Sequence, residues 1–133
     1  MKLFISYAHQ DQKFATQLAQ ALRKQGGDPW MSEHGVLAGS DWLTSLKDNL
    51  RASNALVLIM PSAAAASGNS AFFEAGAAKA IGKDVIVVVP DLETVDRSNI
   101  PYELASTIVV DATRKSVEAV ANTVFGALKA EAE

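Results

Sequence analysis

Two stretches of this chain are apolar from end to end. Ala55-Leu56-Val57-Leu58-Ile59-Met60 stops at Pro61, and Val85-Ile86-Val87-Val88-Val89 follows Asp84 and stops at Pro90. A strand with one face in water alternates apolar and polar residues. A strand covered on both faces by helices reads as an unbroken apolar run. The two runs therefore predict the central strands of a parallel sheet lying between two helical layers.

The rest of the chain supplies the other elements in alternation. Leu3-Phe4-Ile5 is a short first strand, followed by the polar turn Ser6-Tyr7-Ala8-His9. Asp11 is placed to cap the next helix. The apolar face of that helix is Phe14, Leu18 and Leu22, with Ala15 and Ala19, and Gly26-Gly27 ends it. Pro29-Trp30-Met31 reads as a second strand and Ser32 to Gly39 as a loop. Ser40 begins a helix with Leu43, Leu46 and Leu50 on one side, and Trp42 packs at its start. Thr107-Ile108-Val109-Val110 is the fifth strand, and Val117, Val120, Ala121, Val124, Phe125 and Leu128 form the stripe of a last helix. Five strands alternating with helices give an α/β fold: a flavodoxin-like three-layer sandwich whose five-stranded parallel sheet has the order 2-1-3-4-5. Residues 1–133 read as one domain, with its core over about 3–128. Ser62 to Asn69 is low in complexity and reads as a mobile loop.

Composition narrows the chemistry. The chain has 133 residues and no cysteine, so disulfides, thiolate catalysis and cysteine-based zinc sites are excluded. Net charge is −3 without a basic run, which argues against a nucleic-acid partner. No apolar run reaches the ~18 residues of a membrane span, and the opening residues turn polar too early for a signal peptide. The expectation is a cytoplasmic domain without a membrane partner. His9 and His34 stand in loops without acidic ligand spacing, so no metal site is expected. There is no Gly-rich phosphate motif for redox use of NAD or for ATP hydrolysis, and no GxSxG elbow.

In a sheet of this order ligands bind beyond the C-terminal strand ends, at the switch point between strands one and three. The loops Ser6 to Gln10 and Pro61 to Ser70 bound that crevice, and a helix starts near Ser70. Its free N–H groups favour an anionic ligand. Glu74 sits in its first turns, and its neighbours three and four positions away are Ser70, Ala71, Ala77 and Ala78. None can neutralise it as a helical ion pair. A lone carboxylate at a crevice is a catalytic candidate. The same position also suits a solvated glutamate favoured by the helix dipole.

Several segments together resemble the Toll/interleukin-1 receptor (TIR) domain family. Phe4-Ile5-Ser6-Tyr7 before an acid-led helix is similar to the family's opening box. Trp30-Met31-Ser32 through Leu37-Ala38-Gly39-Ser40-Asp41-Trp42 is similar to the second strand and the BB loop. Ala52 to Ser62, the Glu74 helix and Lys83 to Val89 continue the match, which spans roughly residues 3 to 112. The resemblance implies cleavage of NAD+ at the nicotinamide–ribose bond, with Glu74 as the catalytic carboxylate. NAD+ is then a substrate, and no cofactor is implied. Trp30 corresponds to an aromatic that packs on the nicotinamide ring; the alternative is a buried strand-end aromatic. Ser6 and Tyr7 are candidate pocket residues, with turn chemistry as their alternative. Ser32 stands where an acidic residue is common, and Ser70 where a tryptophan is common; both are kept as candidate substrate contacts.

The resemblance further implies a homo-oligomer or filament assembled through TIR–TIR contacts, with Gly35, Leu37 and Gly39 in the assembly loop. A fused or separate sensor domain and a role in bacterial immune signalling belong to the same expectation. Two other functions stay open. One is a non-catalytic TIR interaction module. The other is an enzyme resembling nucleoside 2-deoxyribosyltransferases, because Phe73 to Lys83 is also similar to that family, which uses a glutamate nucleophile.

Overall fold

The computed structural model describes residues 2–7, 11–31, 48–60, 71–90 and 108–132, with backbone alone for 71–74 and 129–132. Strands β1 (Lys2–Ser6), β2 (Asp28–Met31), β3 (Ala55–Ile59), β4 (Asp84–Val89) and β5 (Ile108–Asp111) alternate with helices α1 (Gln12–Lys24), α2 (Ala71–Ala80) and α3 (Val117–Ala132). Residues 48–52 are helical as well. The strands form one sheet in the order β2-β1-β3-β4-β5, and each neighbouring pair is parallel. This is the expected topology.

The alternation of side chains along each strand sorts the core into two layers. Leu3 and Ile5 of β1, Val57 and Ile59 of β3, and Ile86 and Val88 of β4 pack under α1 and α3. Phe4, Leu56, Leu58, Val85 and Val87 point the other way, towards Ala75 and Ala78 of α2 and towards Leu50. All of β3 is buried, which is why its sequence has no polar position to spare. Full burial of each such aliphatic side chain contributes roughly 1.5–3 kcal/mol.

Local chemistry fixes the element ends. After α1, Gly26 has φ +94°, its N–H donates to the Arg23 carbonyl, and the Gly27 N–H donates to the Leu22 carbonyl. That paired pattern is a Schellman stop and requires a left-handed residue. Gly82, at φ +80°, ends α2 in the same way, with bonds from Gly82 to Lys79 and from Lys83 to Ala78. At the foot of the sheet the Lys2 N–H donates to Asn54 Oδ1 at 2.7 Å, and the Asn54 N–H donates to the Lys2 carbonyl at 2.7 Å, pinning β1 against the start of β3.

One expectation needs correction. Asp11 occupies the N-cap position of α1 but makes no side-chain cap bond. Its backbone, at φ −100° and ψ 12°, lacks the extended conformation that aims a cap oxygen at the first N–H groups. The cap that does form is at α3, where Ser116 Oγ accepts from the Ala119 N–H at 3.2 Å. Among the described residues no helix is long and apolar enough to cross a membrane.

Candidate functional site

All five strands run the same way, so their C-terminal ends, Ser6, Met31, Ile59, Val89 and Asp111, lie along one edge. β1 leads outward to β2 through α1, whereas β3 leads the other way to β4 through α2. The two connections part at the β1/β3 boundary, and the helices they carry lie on opposite faces of the sheet. This is the switch point at which open α/β sheets bind ligands.

Glu74 is the fourth residue of α2. A helix linking two parallel strands runs back against them, so the first turn of α2 stands at the C-terminal edge of the sheet. The backbone at Glu74 directly precedes Ala75 and stands one turn before Ala78, both wholly buried against the sheet. α2 packs on β3 and β4 and also reaches β1.

Ser6 closes β1 opposite Leu58 and is wholly buried. Alternation along β1 puts it on the face of Phe4, which is the α2 face. Trp30 lies on that face too. It is opposite Phe4 in register, with ring centroids 4.8 Å apart and planes tilted by 47°, and it remains half-buried. Tyr7 is different. It is 5% exposed and belongs to the layer under α1 and α3, with the sheet between it and Trp30. Ser6, Trp30 and the Glu74 helix thus share a face, and Tyr7 does not. Ser32, Gly35, Leu37, Gly39, Ser70 and the loop Ser62 to Asn69 lie outside the described residues.

Asp11 puts a described carboxylate near the C-terminal end of β1. Its Oδ2 is buried with no hydrogen-bond partner among the described residues, and burial pushes its pKa above the ordinary carboxylate range. In the sequence, an acid ahead of a helix reads as a cap, and nothing there reveals that the cap bond is not made. Among the described residues no three of His, Cys, Asp or Glu come together as a metal site.

A family model for the TIR domain matches residues 3–124. No curated protein sequence matches the chain. Among solved structures, the TIR domain of the Toll-related receptor TRR-2 from Hydra magnipapillata is similar, with TM-score 0.65, 19% identity, and 96% of this chain and 97% of that one covered. The 2-deoxyribosyltransferase of Bacillus psychrosaccharolyticus superposes with TM-score 0.65 at 16% identity, covering 96% of each chain. The CMP N-glycosidase BcmB of Clostridium botulinum gives TM-score 0.59 at 16% identity, with 94% of this chain and 98% of that one covered. At these identities the structural likenesses establish a shared fold.

Proposed function

Because the chain belongs to the TIR domain family, we propose that it cleaves the nicotinamide–ribose bond of NAD+ with Glu74 as the catalytic carboxylate. The observation that carries this reading is the first turn of α2 at the C-terminal edge of the sheet, on the face that also bears Trp30 and Ser6. Two solved structures of similar fold are, by their names, a 2-deoxyribosyltransferase and a CMP N-glycosidase. Both names describe work on the bond between a sugar and a base, which supports a chemistry of that class.

One carboxylate is enough for the reaction. The C1′–N bond breaks, and its electron pair leaves with nicotinamide as a neutral base, so no strong acid is needed there. Positive charge develops on the ribose, and an adjacent carboxylate stabilises it, as in glycoside hydrolysis. Water then adds at C1′ and gives up a proton, yielding ADP-ribose; attack by an adenine nitrogen of the same molecule instead gives a cyclic product. Trp30, half-buried against Phe4, offers an aromatic surface to the cationic nicotinamide ring. Self-assembly through the loop containing Gly35, Leu37 and Gly39, and a place in bacterial immune signalling, belong to the same proposal.

A second reading, transfer of a deoxyribosyl group between bases, is favoured by the likeness to the Bacillus transferase. Chromatography of two parallel incubations of concentrated protein separates the readings. Nicotinamide released from NAD+, with no base exchange between deoxyadenosine and free cytosine, is the expected result. Base exchange with NAD+ left intact overturns it in favour of the transferase. Inertness towards both leaves the TIR interaction module.

A further inference from the structure

Trp30 stands on β2, an edge strand, so it has a strand neighbour on one side alone. That neighbour is β1, and the residue opposite Trp30 in register is Phe4. On the other side of β1, Phe4 stands opposite Leu56 of β3. The two aromatic residues are buried to different degrees. Phe4 is wholly buried in the layer that also holds Leu56, Leu58, Ala75 and Ala78. Trp30 packs against that layer and stays half-buried.

Their rings meet with centroids 4.8 Å apart and planes tilted by 47°. That separation is typical of a favourable aromatic pair, and such pairs have preferred orientations. A wholly buried side chain in an inner strand is held by close packing. An indole at the sheet edge takes its tilt from the strand neighbour it packs on, which here is an immobile ring. An aliphatic side chain at position 4 would fill the same layer, as Leu56 and Leu58 do. It would set no interplanar angle, because the attraction between apolar surfaces has no direction.

We infer that Phe4 is a positioning residue of the proposed NAD+ site, holding the Trp30 indole at the tilt on which a planar cationic ring stacks. The inference rests on the reading of Trp30 as the surface that receives nicotinamide. It adds a residue that touches no ligand and acts through Trp30. The layer of Phe4 also seats Ala75 and Ala78, so the indole and the helix of Glu74 are referenced to the same side chains. Loss of the ring pair weakens the hold on the cationic ring. It adds no further cost to the bond-breaking step, in which nicotinamide departs neutral.

The test labels the chain with 5-fluorotryptophan, which gives ¹⁹F resonances from Trp30 and Trp42, assigned with Trp42→Phe. Phe4→Leu and Phe4→Met both remove the ring and keep apolar bulk, so either serves if the other fails to fold. Val85→Ala is the comparison: Val85 is buried in the same layer, but β1 and β3 lie between its strand and β2. In the Phe4 variants the Trp30 resonance is expected to broaden or split, the sign of an indole no longer held in one orientation. Their KM for NAD+ rises about threefold or more while kcat stays within about twofold. Val85→Ala loses stability but keeps a single sharp resonance and the wild-type KM. A single sharp Trp30 resonance in the Phe4 variants, an unchanged KM, or an equal KM rise in Val85→Ala overturns the inference. Wild-type protein that leaves NAD+ intact overturns the proposed reaction instead; the resonance, read without NAD+, still decides whether Phe4 holds the indole.

Discussion

At Asp11 a carboxylate oxygen is buried with no partner among the described residues, and burial raises the pKa of the group. Such a group holds its proton more tightly in the folded chain than in the unfolded one. It favours folding below its unfolded pKa, and that contribution is lost as pH rises through the folded value. Asp11→Asn is therefore expected to raise the melting temperature near neutral pH, with the gain shrinking as pH falls toward about 4. Thermal melts across that range check it, and a gain independent of pH would contradict it. Trp30 makes a different test. Trp30→Leu keeps an apolar side chain on Phe4 but removes the ring pair, for a stability loss of about 0.5–1.5 kcal/mol. If the ring also receives nicotinamide, KM for NAD+ rises several-fold; an unchanged KM would leave Trp30 with only its packing role. Position at the crevice made Glu74 legible as a candidate, whereas Trp30 became one only through the resemblance to the TIR family. Ser6 and Tyr7 are both buried, and the alternation of side chains along β1 puts these neighbours on opposite faces of the sheet.

The helices and strands were readable wherever a periodic pattern met a stop signal. α1 shows this best: its apolar row ends at Gly26-Gly27, and the structure turns those two residues into a Schellman motif. What the pattern could not show is how closely the turn is packed. A methyl group on Gly27 would lie 2.7 Å from Phe125 Cζ and 3.1 Å from the Leu22 carbonyl oxygen. Gly27→Ala is thus expected to destabilise the chain by about 1–3 kcal/mol, the usual range for overpacking. Phe125→Leu in the same chain relieves part of the clash, so denaturant unfolding of the four proteins in a double-mutant cycle should show favourable coupling. Additive losses would mean that the glycine matters for its backbone alone. The caps were less legible than the stops. Asp11 had the right residue type and the wrong backbone angles, whereas Ser116, the serine directly before the first residue of the α3 stripe, makes the bond.

For the molecule as a whole, the unbroken apolar runs at β3 and β4 were the strongest guide, because only strands with helices on both sides bury every residue. The sheet order follows from those runs and from the alternation of elements, and with it the switch point and the edge at which α2 begins. The face assignments were not legible in the same way. Which helix covers which face depends on the crossovers, and these place α1 and α3 together across the sheet from α2. The proposed assembly makes a prediction at this level: if the assembly loop of one protomer completes the next one's site, specific NAD+ cleavage rises steeply with protein concentration. A rate per protomer that stays flat over a hundredfold range of concentration would remove self-assembly from the proposal and leave the chemistry untouched. The proposed chemistry rests on one carboxylate, and nicotinamide release from NAD+ by concentrated wild-type and Glu74→Gln protein tests it directly. The account predicts release by the wild type and a loss on the order of 100-fold or more in the variant, with an unchanged melting temperature; equal release by the two proteins would contradict it.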